Sequence, residues 1–148
     1  MTLVVALVDT NVVVSGVLAG QGDSPNARIL DTMIAGTLYF ILSDELLAEY
    51  RAVLLRPAIV ARHGLADTEV HTVLEGIVFN AGWREPGPAA PDSFTVPGDA
   101  HVVALLEAEP AAILVTGDRR LREAVSPWRS VLPPAELAAL LGSATPGP

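Results

Sequence analysis

Apolar residues fall along this chain in two alternating patterns. Unbroken runs occur at 3–8 (LVVALV), 38–42 (LYFIL) and 112–115 (AILV). Each is strand-sized and lacks the polar alternation of a half-exposed strand, so each predicts a strand covered on both faces. Amphipathic stretches lie between them. Ser24-Pro25 sets a side-chain cap before a proline at the first helical position, and Ala27, Ile29, Leu30, Met33 and Ile34 then recur at helical spacing until Gly36. A second helix runs from a cap at Ser43 or Asp44 to Leu55 and ends before Pro57. A third begins at Asp67, where Val70, Val73, Leu74, Ile77 and Val78 form one stripe. A short strand at Trp83 precedes the segment 84–98, whose prolines 86, 88, 91 and 97 predict a loop. A helix over 99–109, a short helix over 119–125, a strand at 130–132 and a last helix over 134–141 complete the pattern.

Strands alternating with helices predict an α/β protein with a parallel sheet covered by helices. There is no internal repeat and no linker, so one domain is expected over 1–141, followed by a disordered tail over 142–148. The full 148 residues are enough to bury about two-thirds of the unfolded surface. A hydrophobic fraction of 51% excludes intrinsic disorder, and the absence of cysteine excludes disulfides, thiolate catalysis and cysteine zinc sites. The apolar run at the N-terminus is far short of the ~20 residues that span a bilayer, and it has no basic flank, so a soluble cytoplasmic protein is expected.

Charge pulls the other way from the chemistry that follows. The net charge is −8 and all nine basic residues are arginine, which is not the usual footprint of a nucleic-acid binder. Charges are screened beyond ~8 Å at physiological salt, however, and acids gathered to hold cations add negative charge that the metal cancels.

Four acids stand out by position. Asp9 ends the first strand in Val8-Asp9-Thr10-Asn11, where an open parallel sheet collects ligands; the same tetrapeptide is also ordinary turn or cap chemistry. Asp118 ends the strand AILV in Thr116-Gly117-Asp118, at the same sheet edge, and is equally readable as a helix cap. Glu49 lies on or beside the stripe Leu46, Tyr50 and Val53, where an inward carboxylate costs several kcal/mol unless paired or metal-bound. The alternatives are a boundary residue paired with an arginine, or that Glu45, a first-turn acid, is the one that matters. Asp99 opens the helix DAHVVALLEAE, again at a capping position. Arg119, Arg120 and Arg122 follow Asp118 as the one dense basic cluster; they form either a solvated helix face or a phosphate contact. His101 has no second histidine at ligand spacing, which makes it a solvated or phosphate-contacting side chain rather than a metal ligand.

Taken together, LVVALVDTNVVVSGVL, SDELLAEYRAVLLRP and GDAHVVALLEAEPAAILVTGDRRL resemble the PIN-domain nucleases, in particular the VapC-like toxin components of bacterial toxin–antitoxin pairs. The likeness extends from Leu3 to Leu141. It implies an α/β/α sandwich with the acids meeting at the carboxyl edge of the sheet. The family's acids fall on Asp9, Glu49, Asp99 and Asp118, with Asn11, Ser15 and Thr116 as supporting polar neighbours. The chain departs from its relatives in one place: where they carry further acids around the third site, Thr95–Ala100 keeps only Asp99.

The resemblance implies a Mg2+- or Mn2+-dependent endoribonuclease with one or two ions, cutting single-stranded RNA to leave a 5′-phosphate and a 3′-hydroxyl. Asp9, Asp99 and Asp118 would be ligands, Glu49 would act through a water, and Arg119, Arg120 and His101 would help to position RNA. It also implies an antitoxin partner and a homodimer. An inactive PIN-like module that only binds a partner is the alternative that the thinned acidic stretch raises. Haloacid-dehalogenase-type phosphatases also start from a strand-end Asp, but they need a second acid where this chain has Asn11 and a lysine that it lacks.

Overall fold

The computed structural model describes residues 4–20, 22–87 and 99–143. Its strands are β1 (Val5–Val8), β2 (Ile41–Leu42), β3 (Gly82–Trp83), β4 (Ala112–Val115) and β5 (Val131–Leu132). Its helices are α1 (Thr10–Ala19), α2 (Pro25–Ala35), α3 (Asp44–Leu54), α4 (Pro57–His63), α5 (Asp67–Asn80), α6 (Ala100–Ala108), α7 (Arg119–Val125) and α8 (Pro134–Ser143). β1 pairs with β4 from Val5↔Ala112 to Val8↔Val115, and β4 pairs with β5. β2 pairs with β3, and a parallel bridge from Ala6 to Phe40 sets that pair beside β1. All of these pairings are parallel. The resulting order β3-β2-β1-β4-β5 steps outward from β1 on one side, then crosses to the other. The strand order therefore reverses between β1 and β4, and the crevice beyond their carboxyl ends is where such sheets bind ligands.

Helices flank the sheet as an α/β/α sandwich, and their inner faces make one core. Leu7, Phe40, Ile41, Leu42, Leu114 and Val115 in or beside the strands are fully buried against Ile29, Met33, Leu46, Ile77, Leu105 and Leu106 from the helices. Burying each of these large side chains stabilises the fold by about 1.5–3 kcal/mol. α1 and α2 approach closely at Gly16, where a Cβ would lie 2.8 Å from the Asn26 carbonyl oxygen. Any larger residue there would push the two helices apart.

The expected strands and helices are present, β2 shorter than the run 38–42 that predicts it, with three further differences. The segment 10–19 is helix α1, which the apolar spacing did not mark. TNVVVSGVLA is buried almost all round and rich in β-branched valine, so it carries neither a clear stripe nor strong helix propensity. Pro57 does end α3, but it also sits at the first position of the seven-residue α4, where its missing N–H is harmless. The last helix extends to Ser143, two residues beyond the expected boundary, while 144–148 lie outside the described residues. The prolines 88, 91 and 97 of the expected loop also lie outside them. No helix among the described residues is long and apolar enough to cross a membrane.

Candidate active site

β1 delivers Asp9 to the sheet edge. Its N–H still bonds the Val115 carbonyl, so the β1–β4 ladder runs up to it, and its side chain then turns inward, 5% exposed. Oδ1 accepts from the Thr10 N–H at 2.9 Å and Oδ2 accepts from the Thr116 hydroxyl at 2.8 Å. Thr116 follows β4 and is fully buried; its Oγ1 in turn accepts the Asp118 N–H at 3.0 Å. One threonine thus ties the two strand-end aspartates together across the point where the strand order reverses. Asp118 caps α7, its Oδ1 accepting from the N–H groups of Arg120 at 2.9 Å and Leu121 at 3.3 Å.

α3 brings Glu49 to the same place. The Tyr50 hydroxyl beside it donates to the Val8 carbonyl at 2.5 Å, and Tyr50 is wholly buried, which pins the helix to the end of β1. Glu49 Oε1 accepts from the Thr10 hydroxyl, and Oε2 accepts from His101 Nε2 at 2.8 Å. Glu45 is exposed, makes none of these hydrogen bonds, and lines a cleft of about 710 Å³ with Arg84 and His101. Asp99 occupies the position before α6, but its side chain makes no capping hydrogen bond, so helix capping does not explain an acid there.

The electrostatics record how close the acids are. Burial first, then Asp99 and Glu49, push Asp9 up from the ordinary 3.8 to about 6, against the pull of hydrogen bonds from Thr116 and Thr10. Burial, Glu49 and Asp118 likewise raise Asp99, with His101 opposing. Burial together with Asp9 and Glu49 holds the Tyr50 phenol well above its usual range. Asp9 and Asp99 thus each feel two other acids.

The remaining residues fall into two groups. Asn11 and Ser15 of α1 line a cleft of about 250 Å³ with Asn26, Gly117, Asp118 and Pro134, directly beside Asp118. Arg119 extends into solvent, 81% exposed, and bonds Glu123 one turn on; Arg120 is exposed at the start of the same helix. His101, in contrast, turns inward with a side chain only 12% exposed. Thr10 and Tyr50 join the site without having stood out in the sequence. The signal available for Tyr50 was a polar-tipped residue in the middle of an apolar stripe. For Thr10 it was a hydroxyl directly after a strand-end acid.

Among the described residues, no three His, Asp or Glu side chains already stand close enough to close around one ion. The donor set still fits a hard divalent cation: the groups are carboxylate and hydroxyl oxygens, and the buried acids repel one another, which a cation would relieve. Compared with known sequences, residues 5–120 match the PIN domain family. No curated protein matches the chain.

Proposed function

The chain belongs to the PIN domain family, whose members are generally metal-dependent nucleases, and from that premise we propose that it is a Mg2+- or Mn2+-dependent endoribonuclease acting on single-stranded RNA. The observation that carries the proposal is Asp9. A carboxyl buried at the point where strand order reverses, with Asp99 and Glu49 near enough to raise its pKa, destabilises the fold unless a cation joins it. Asp9, Asp99 and Asp118 would hold one or two ions, with Glu49 acting through a water. When bound, the metal supplies charge relief on the phosphate and activation of the attacking water.

The chain's own residues do the positioning. Thr116 fixes the spacing of Asp9 and Asp118 by bonding both. Tyr50 keeps α3, and Glu49 with it, against the end of β1. Asn11 and Ser15 are neutral and line the cleft beside Asp118, which suits ribose and base edges; exposed Arg120 suits a backbone phosphate. The test is cleavage of single-stranded RNA in manganese, followed on a gel. Activity should vanish with a chelator and fall roughly a thousandfold in Asp9→Asn, three factors of ten at about 1.4 kcal/mol each. Cleavage unchanged in the variant would move the centre elsewhere. No manganese binding at all would favour the partner-binding module.

We further propose that the protein is the toxin of a toxin–antitoxin pair. A small antitoxin protein would cover the carboxylate cleft, and two copies would associate through their helices. Support comes from the apolar groove of about 420 Å³ between α3 and α5, lined by Leu47, Leu74, Val78 and Phe79. Phe79 is 88% exposed, an unusual cost for a monomer in water. Light scattering and co-purification with the product of the neighbouring gene test this reading. A monomer that carries no partner would overturn it and leave the nuclease proposal standing.

A further inference from the structure

Glu49 is held by both of its oxygens, and that grip extends the site by two residues. We propose that His101 is a positioning residue which, with Thr10 as the opposite jaw, fixes Glu49 relative to Asp9 and Asp99 and thereby sets the metal affinity of the centre; the proposal rests on the nuclease reading above.

A glutamate has three rotatable bonds and would sample many positions at a sheet edge. Here Oε1 accepts from the Thr10 hydroxyl and Oε2 accepts from His101 Nε2 at 2.8 Å, which leaves one orientation. Thr10 also gives its N–H to Asp9 Oδ1. A continuous polar chain therefore runs Asp9–Thr10–Glu49–His101, from the end of β1 through the start of α1 to α3 and α6. His101 lies two residues beyond Asp99, at the start of α6. Its bond to Glu49 consequently ties the entry of α6, and the uncapped Asp99 carboxyl on it, to α3.

The ring is suited to this role and poorly suited to meeting a phosphate. Its side chain is 12% exposed, against 81% for Arg119. A carboxylate only accepts, so Nε2 must carry a proton whatever charge the ring bears. Among the described residues Nδ1 is buried with no hydrogen-bond partner, and Glu49 is the ring's hydrogen-bonded contact. An unpartnered buried nitrogen costs stability. A leucine would satisfy this position on a mostly apolar helix, where Val102, Val103, Leu105 and Leu106 are fully buried. What the histidine adds is the donor to Glu49. Partners that orient a metal site's acids from behind are commonly worth 10–100-fold in affinity.

The experiment is calorimetric titration of the full chain with manganese, run on wild type, His101→Leu, His101→Gln and Thr10→Val. Melting temperature and single-stranded RNA binding in chelator are measured alongside. His101→Leu should bind manganese roughly tenfold more weakly or worse, with a metal-free melting temperature no lower than wild type and unchanged RNA binding. His101→Gln, which carries an N–H to about the reach of Nε2, should recover most of the affinity. Thr10→Val should reproduce the loss from the other jaw. Manganese affinity within twofold of wild type in both His101→Leu and Thr10→Val would overturn the proposal while the nuclease reading stands. Loss of RNA binding at unchanged manganese affinity would overturn it in favour of a phosphate contact. A wild-type protein that binds no manganese would overturn the nuclease reading and this one with it.

Discussion

β2 and β1 end side by side at one edge of the sheet, and each hands the chain to a helix, but they do so with different chemistry. β2 ends at Ser43, whose hydroxyl accepts the Leu46 N–H at 3.2 Å, the third amide of α3. Ser24 caps α2 in the same way through Ala27. β1 ends at Asp9, which reaches only the first amide of α1 and spends its other oxygen on Thr116. Both side chains are nearly buried, 4% exposed for Ser43 and 5% for Asp9. Capping needs an oxygen and no charge, and serine supplies it as well as aspartate. The charge at Asp9 is therefore surplus to the local backbone and is held at a net cost. That surplus separates a strand end that only builds the fold from one whose carboxylate, on the proposed function, is kept for a cation.

The sharpest way to break the comparison is to measure that cost. Unfolded, Asp9 titrates near 3.8; folded, near 6. Below 3.8 both states are protonated and there is no penalty. Above 6 both are ionised and the folded state carries the whole of it, roughly two pH units at about 1.4 kcal/mol each, or about 3 kcal/mol. The native state binds the proton more tightly between those values, so stability falls as pH rises through them. Asp99, raised for the same reasons, adds in the same direction. Metal-free protein should therefore melt at a higher temperature at pH 5 than at pH 7.5. Asp9→Asn should flatten that difference and stabilise the protein at pH 7.5. Parallel pH profiles in wild type and Asp9→Asn would show that Asp9 bears no surplus cost.

Thr116 offers a smaller and more specific break. Thr116→Val keeps the shape but removes the donor to Asp9 and the acceptor for the Asp118 N–H. Losing a hydrogen bond to a charged group and leaving a part-buried amide without its acceptor should cost about 2 kcal/mol at neutral pH. The pH at which stability declines should also move upward, because the Thr116 bond is the larger of the two that lower the Asp9 pKa. Ordinary denaturant melts at several pH values read both effects, and a uniform loss with no shift in pH would mean that Thr116 acts on packing alone.

How much of this was legible beforehand depended on the range of the interaction. β1 and β4 were readable because a strand buried on both faces writes itself as an unbroken apolar run. Those two runs alone set Asp9 and Asp118 at one edge of the sheet. β2 was read too long: 38–42 is apolar throughout, yet only Ile41–Leu42 pairs as a strand and Phe40 contributes a bridge. α1 was missed because burial on all sides removes the stripe that marks a helix. At the site, the bonds that bring Glu49 to the end of β1 beside Asp9 join Thr10 to Glu49 and Tyr50 to Val8, 39 and 42 residues apart. No local pattern encodes such contacts. That the Asp99 carboxyl does not cap was invisible for the opposite reason, since its position is an ordinary capping position and only geometry reveals the missing cap bond.

Asp118 is where the comparison gives its finest distinction, because it does both jobs at once. Unlike Asp9, it accepts two N–H groups of the helix it begins, so its local role is satisfied. Asn caps a helix about as well as Asp, so Asp118→Asn should leave the metal-free stability within about half a kcal/mol of wild type. If the carboxylate also serves a cation, the stabilisation by added manganese should shrink. For wild type that stabilisation is roughly 1.4 kcal/mol at ten times Kd. Ser43→Ala is the matching control from the neutral strand end. It should lose about 1 kcal/mol of stability through its cap and keep the full manganese response. The two variants should thus behave as opposites, one silent without metal and deficient with it, the other weakened throughout and responsive as before. Equal manganese shifts in wild type and Asp118→Asn would reduce Asp118 to a cap, on the same footing as Ser43, and leave Asp9 and Asp99 to hold the ion with Glu49.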